Sequence, residues 1–176
     1  MDQEKFYFLK EIKLKLIFIN LLLVFNVTIS SNSAESLNIF FKNDLSFIQT
    51  SLNTINNNFD TSSGNIYRDK NNSIKIEVYE PFKETYSIDN QGIKIHDLEF
   101  DQVRIIDKED INNNILEFIY NGFSEEKLNI ENFKNSDFKI VDNESSYYFK
   151  FIDKNTLQIK YKDNMGIENL IKFFKK

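Results

Sequence analysis

The chain has 176 residues, enough for a single domain of ordinary size. Its 22 basic and 27 acidic residues give a net charge of −5, which argues against a nucleic-acid partner. It contains no cysteine and one histidine, so disulfides are excluded, a zinc site would need carboxylates, and a Ser/His/Asp triad would have to use His96. None of the four glycines belongs to a G-x-S-x-G or phosphate-binding motif.

The first element is an export signal. Residues 16–29, LIFINLLLVFNVTI, form an apolar run behind Lys5, Lys10, Lys13 and Lys15, and Ser30 to Ala34 follow as small polar residues. The run is shorter than the ~20 residues that cross a bilayer, and Asn20 and Asn26 interrupt it. The expected organisation is therefore a signal peptide over 1–34, cleaved after Ser33 or Ala34, and one domain over 35–176. An anchor retained in the membrane is the alternative. A lipoprotein needs a cysteine just after such a run to carry its own lipid, so the expected product is soluble and exported.

From Ser36 the pattern changes. Leu37, Phe41, Leu45, Ile48, Leu52, Ile55 and Phe59 recur every three or four residues, which predicts a long helix capped by Ser36 or Asn38 and ended by Asn56 to Asn58 and Gly64. A meander follows. Ile74, Ile76 and Val78 alternate with Lys75, Glu77 and Tyr79, then Pro81 breaks the strand. Tyr86 and Ile88 resume the alternation, Asp89-Asn90-Gln91-Gly92 turns, and Ile93 and Ile95 restart it before a strand at Val103 and Ile105. Asp107 to Asp110 reads as a solvated loop, and Ile111, Ile115, Phe118 and Ile119 give a short helix stopped by Gly122. Beyond it lie a strand at Phe138 and Ile140, a hairpin of Tyr147–Ile152 and Leu157–Lys162, and a closing strand over Leu170–Phe173. These elements predict an α+β domain whose antiparallel sheet curls around its helices.

Residues 64–103, GNIYRDKNNSIKIEVYEPFKETYSIDNQGIKIHDLEFDQV, carry a resemblance. The order of Gly64, a strand, a basic residue near 70, apolar alternation, Pro81, a second strand, the Asp-Asn-Gln-Gly turn and Asp97-Leu98-Glu99-Phe100-Asp101-Gln102-Val103 is similar to the LolA family of periplasmic lipoprotein carriers. Weaker likeness runs from about residue 37 to the end.

The resemblance implies a half-open antiparallel β-barrel with a long N-terminal helix and a short helical lid, the lid falling on residues 111–120. It implies a monomeric periplasmic chaperone that takes lipoproteins by their acyl chains from an inner-membrane ABC exporter and passes them to an outer-membrane receptor. On that reading a lipid-binding cavity is lined by Leu45, Ile48, Leu52, Ile74, Ile76, Val78, Tyr86, Ile88, Ile93, Ile95, Ile115, Phe118, Ile119, Phe149 and Phe151. No catalytic residue, metal or cofactor is expected. In the family an arginine after the first strand holds the lid shut. Aligned without gaps it falls on Lys70, and Arg68 lies two residues away on the same strand face, so either can serve as the latch. Family members commonly continue past the strand matching Leu170–Phe173, whereas this chain stops at Lys176. An envelope protein of the same fold that binds another amphiphile, or that senses envelope stress, is the alternative function.

Overall fold

A computed structural model describes residues 33–53, 58–69, 73–110, 114–124, 126, 128–132, 137–142, 145–163 and 165–176. They belong to the second of two units, Asn32–Lys176. Of the predicted signal peptide only Ser33 and Ala34 are described, and both lie in the first helix, α1 (Ser33–Phe41). Ala34, Leu37, Phe40 and Phe41 are buried at helical spacing, and each large side chain among them contributes about 1.5–3 kcal/mol by leaving water.

The remaining elements are β1 (Leu45–Asn53), β2 (Asn58–Arg68), β3 (Ile74–Glu80), β4 (Glu84–Ile88), β5 (Gly92–Asp97), β6 (Gln102–Asp107), a 3-10 turn (Lys108–Asp110), α2 (Asn114–Asn121), β7 (Asn129–Asn132), β8 (Asp137–Asp142), β9 (Ser145–Asp153), β10 (Thr156–Lys162) and β11 (Glu168–Lys175). The strands form one open, curled antiparallel sheet in the order β6-β5-β4-β3-β2-β1-β11-β10-β9-β8-β7. Two meanders, β1 to β6 and β7 to β11, are thus joined at the centre by pairing of β1 with β11, where Phe47 faces Phe173. Helices α1 and α2 contribute Leu37, Phe40, Ile115 and Ile119 to the core against one face.

The predicted long helix is corrected by this arrangement. It ends after nine residues, because Asn43 donates its side-chain amide to the carbonyls of Ile39 (2.8 Å) and Phe40 (3.0 Å) and so closes the C-terminus. Ser36 and Asn38 lie inside the helix and do not cap it. Asp44 then fixes the turn: its side chain accepts the Arg68 backbone N–H (3.2 Å) and its carbonyl accepts that of Lys176 (3.1 Å). Leu45 to Asn53 runs on as the central strand, hydrogen-bonded on both sides. The three-and-four spacing of apolar residues crosses the real boundary by coincidence. Leu45 is fully buried, whereas Ile48 is 45% exposed on the opposite face and Phe59 is 70% exposed.

The meander follows the sequence reading closely. Ile66, Ile76, Tyr86 and Ile95 lie in register across β2 to β5, one row of apolar side chains on the inner face. The short helix forms as α2 over Asn114–Asn121, the expected start at Ile111 lying outside the described residues, and Gly122 ends it at φ +83°, a backbone angle that a side chain would strain.

Candidate functional site

Gly64 opens the site. It lies between Phe47 on β1 and Val78 on β3, and a Cβ there would come within 2.0 Å of the Glu77 carbonyl oxygen and 2.8 Å of the Phe47 ring. Glycine lets that ring lie across the neighbouring strand. Val78 and Ile76 then leave a hollow of about 250 Å³ under α2. Its floor is Phe47, Ile66, Ile76, Val78, Ile171 and Phe173 from the sheet, its roof Ile115, Leu116 and Ile119 from α2, and Pro81 and Phe82 stand at the β3–β4 corner.

Polar groups gather where the inner face leaves the core. Gln49 on β1 donates its amide nitrogen to Asn169 Oδ1 (3.0 Å) and Ser51 Oγ (3.3 Å), and Ser51 Oγ donates to Asn169 Oδ1 (2.5 Å). Asn169, 6% exposed, donates in turn to the Ile167 carbonyl at 2.9 Å, so this buried amide is satisfied. Tyr86 donates its phenolic proton to Glu84 Oε2 at 2.5 Å. Burial, and then the hydrogen bond to Glu84 and its charge, push the Tyr86 phenol well above its ordinary value. Tyr161, also on the wall, is raised to about 12 by burial, with Asp163 and Tyr147 adding to the effect.

Two ties hold α2 over the hollow. Arg68, on β2, donates from Nε to the Phe41 carbonyl (2.9 Å) and from Nη2 to the Ile119 carbonyl. Neither helix carries a basic residue in its last turn, so one guanidinium serves both C-terminal carbonyl ends, where a cation is favoured. Burial lowers the Arg68 pKa from its ordinary value. The second tie is Asn38 of α1, whose amide donates to the Phe123 carbonyl and accepts the Phe123 N–H, both at 2.8 Å.

Of the residues expected to line a lipid cavity, Ile76, Val78, Tyr86, Ile115 and Ile119 border this hollow. Leu45, Ile74, Ile95 and Phe118 are closed into the core, and Ile88 and Ile93 border a smaller hollow of about 70 Å³ beside α2. Phe149 stacks on Phe138 (centroids 5.1 Å, planes 2° apart) and meets Phe123 edge-on; Phe151 packs edge-on against Phe40. Ile48 and Leu52 belong to the strand face opposite Leu45, a consequence of the strand replacing the helix. Arg68 makes the contacts described above, and Lys70 lies outside the described residues. The sequence reading missed Phe47, Gln49, Ser62, Ile66, Glu84, Tyr161, Ile171 and Phe173, and with them Pro81, Phe82 and Leu116. Strand β1 carries no clean period-two alternation, because the polar Gln49 and Ser51 face inward and Ile48 and Leu52 outward, so the apparent helical stripe prevailed.

A wider hollow of about 900 Å³ lies at one end of the strands, with Thr50, Leu52, Phe59, Tyr148, Lys160, Lys162, Glu168 and Leu170 on its wall. Lys162 and Glu168 pair there at 3.4 Å and both are largely solvated, which marks it as a surface groove. Among the described residues no three potential metal ligands come together, and His96 pairs with Asp101 at 2.8 Å near the surface.

No family model matches the chain, and no curated protein does. Among solved structures it is similar to a LolA superfamily protein from Nitrosomonas europaea, at 6% identity over 81% of this chain and 92% of that one, with a TM-score of 0.45.

Proposed function

We propose that this protein is a carrier that shelters acyl chains of lipoproteins in its inner cavity, with no chemistry of its own. In this reading residues 1–34 direct it to the periplasm, an inner-membrane ABC exporter loads it, and an outer-membrane receptor unloads it. The observation that carries the proposal is the apolar hollow roofed by α2, a helix packed on the core through Ile115, Phe118 and Ile119 and tied by the hydrogen bonds of Arg68 and Asn38. Each methylene withdrawn from water is worth about 0.8 kcal/mol, so a lipid anchor needs such a cover to cross an aqueous compartment. Release requires that the cover lift, and Arg68, bridging α1 and α2, is the latch.

The hollow's volume favours a second reading. About 250 Å³ lies below the ~300–1,000 Å³ common for small-molecule sites, too little for two or three acyl chains unless α2 swings away. A smaller amphiphile fits the closed form directly. Mass spectrometry of what copurifies from periplasm separates the two: diacylated or triacylated lipoproteins support the carrier, a single-chain amphiphile supports the alternative, and an empty protein that also fails to retain an acylated peptide contradicts both.

A further inference from the structure

We propose that the cavity discriminates by head group: it takes a single-chain amphiphile whose head donates hydrogen bonds and bears no negative charge, with Glu84 as the discriminating residue. This rests on reading the hollow as a lipid site. Its volume of about 250 Å³, below the range common for whole small-molecule sites, suits part of one chain in the closed form.

The polar inventory decides the head. The lining includes Gln49, Ser62, Glu84, Tyr86 and Tyr161, and no lysine, arginine or histidine. The donors are largely committed: Tyr86 gives its only proton to Glu84, and Gln49 gives its amide hydrogens to Ser51 and Asn169. Gln49 Oε1 and the Glu84 carboxylate remain to accept, while the hydroxyls of Ser62 and Tyr161 can turn either way. Arg68 donates from its guanidinium to the helix carbonyls, and Lys83, Lys160, Lys162 and Lys172, although adjacent in sequence to lining residues, are not on the lining themselves.

Charges beyond the lining do not reverse this. Asp97 stands directly across from Glu84 on β5, its carboxylate accepting the N–H groups of Glu99 and Phe100. Arg104, on the edge strand β6, is the opposing cation; at Tyr86 its pull is smaller than the effect of Glu84. An incoming carboxylate or phosphate therefore meets the like charge of Glu84 on a lining that supplies no lysine, arginine or histidine to offset it. An alcohol or amine head instead supplies the donor that Gln49 and Glu84 lack.

The test is calorimetric titration of the full chain at neutral pH with decanol, decylamine and decanoate. Decanol against decanoate is the decisive ratio, because neither carries the positive charge that draws decylamine to any acidic surface. The expected result is decanol and decylamine binding, with decanoate at least ~10-fold weaker than decanol, and Glu84→Gln abolishing most of that gap. Glutamine keeps an acceptor for Tyr86, and the wild-type ratio stands without the variant. Decanoate binding as tightly as decanol, or a gap unchanged in Glu84→Gln, overturns this inference while leaving the lipid site in place. Binding of none of the three overturns the lipid site itself.

Discussion

The two halves of the sheet's inner face are built from different side chains, and only one of them leaves space. Over β8 and β9 the interior is aromatic: Phe149, Tyr147 and Phe151 meet Phe123, Phe118 and Phe40 from the helical side at centroid separations between 5.6 and 5.9 Å, and Phe138 packs on Phe149 and Phe151 at 5.1 and 6.4 Å. Over β1 to β4 it is mixed, with the aliphatic Ile66, Ile76 and Val78 arrayed beside Gly64 between the separated rings of Phe47 and Tyr86, and α2 bridges above without filling the hollow. Rings that contact one another in a continuous cluster close their own gaps, whereas aliphatic side chains between scattered rings under a bridging helix leave one here. Bulk apolar content therefore does not locate a cavity; the missing volume does.

That contrast sets the largest expected effect. Phe149→Ala should cost about 3–5 kcal/mol in urea unfolding, because it removes the ring between Phe138 and Phe123. Val78→Asn should cost under about 2 kcal/mol, since its amide reaches the hollow and water there, yet it should weaken retention of an acylated peptide more than Phe149→Ala does among folded molecules. Equal destabilisation by the two would erase the distinction between the halves.

Next comes the tie between helices. Arg68→Leu deletes two charge-assisted bonds to carbonyls and should cost about 2 kcal/mol, with faster amide exchange concentrated in α2. Cargo should still bind but pass poorly to an acceptor. Uniform exchange changes across the sheet, or unaltered transfer, would remove the latch assignment. Asn38→Ala should cost about 1–2 kcal/mol and loosen the chain around Phe123, leaving exchange in β3 and β4 unchanged; a loss spread over those strands would mean that the amide supports the whole fold.

How much of this could be read from sequence divides along the same line. Strands β3 to β5 were legible because alternation and turn chemistry agree, as at Asp89, whose carboxylate accepts the Gln91 N–H at 2.8 Å. The N-terminal segment was not, since Leu37 to Phe59 satisfies a helical period across a helix, a turn and a strand; what ends the helix is one asparagine side chain and two tertiary hydrogen bonds to Asp44. At the site, Ile76 and Val78 could be placed, but Gln49 and Glu84 could not, because a polar residue facing inward looks like an error in the pattern until its partners are known. Phe149 and Phe151 were misplaced for the opposite reason: aromatic residues suggest a greasy cavity but here fill one.

The smallest expected effect concerns pH. The Tyr161 phenol is raised to about 12, so the folded state holds its proton where the unfolded chain, near 10, has lost it. Its contribution is fully present below pH 10 and is lost as pH rises from 10 through 12. Tyr161→Phe should flatten that part of the stability profile; an unchanged slope would show that the phenol titrates normally in the fold.

The most direct measurement is the location of a bound chain. Methyl-labelled protein with an acylated peptide should show intermolecular nuclear Overhauser contacts from the acyl methylenes to Ile76, Val78, Ile119 and Ile171, and none to the rings of Phe138 and Phe149. Contacts to Leu52 and Leu170 instead would place the lipid in the outer groove, and would contradict the account of the hollow under α2 as the binding site.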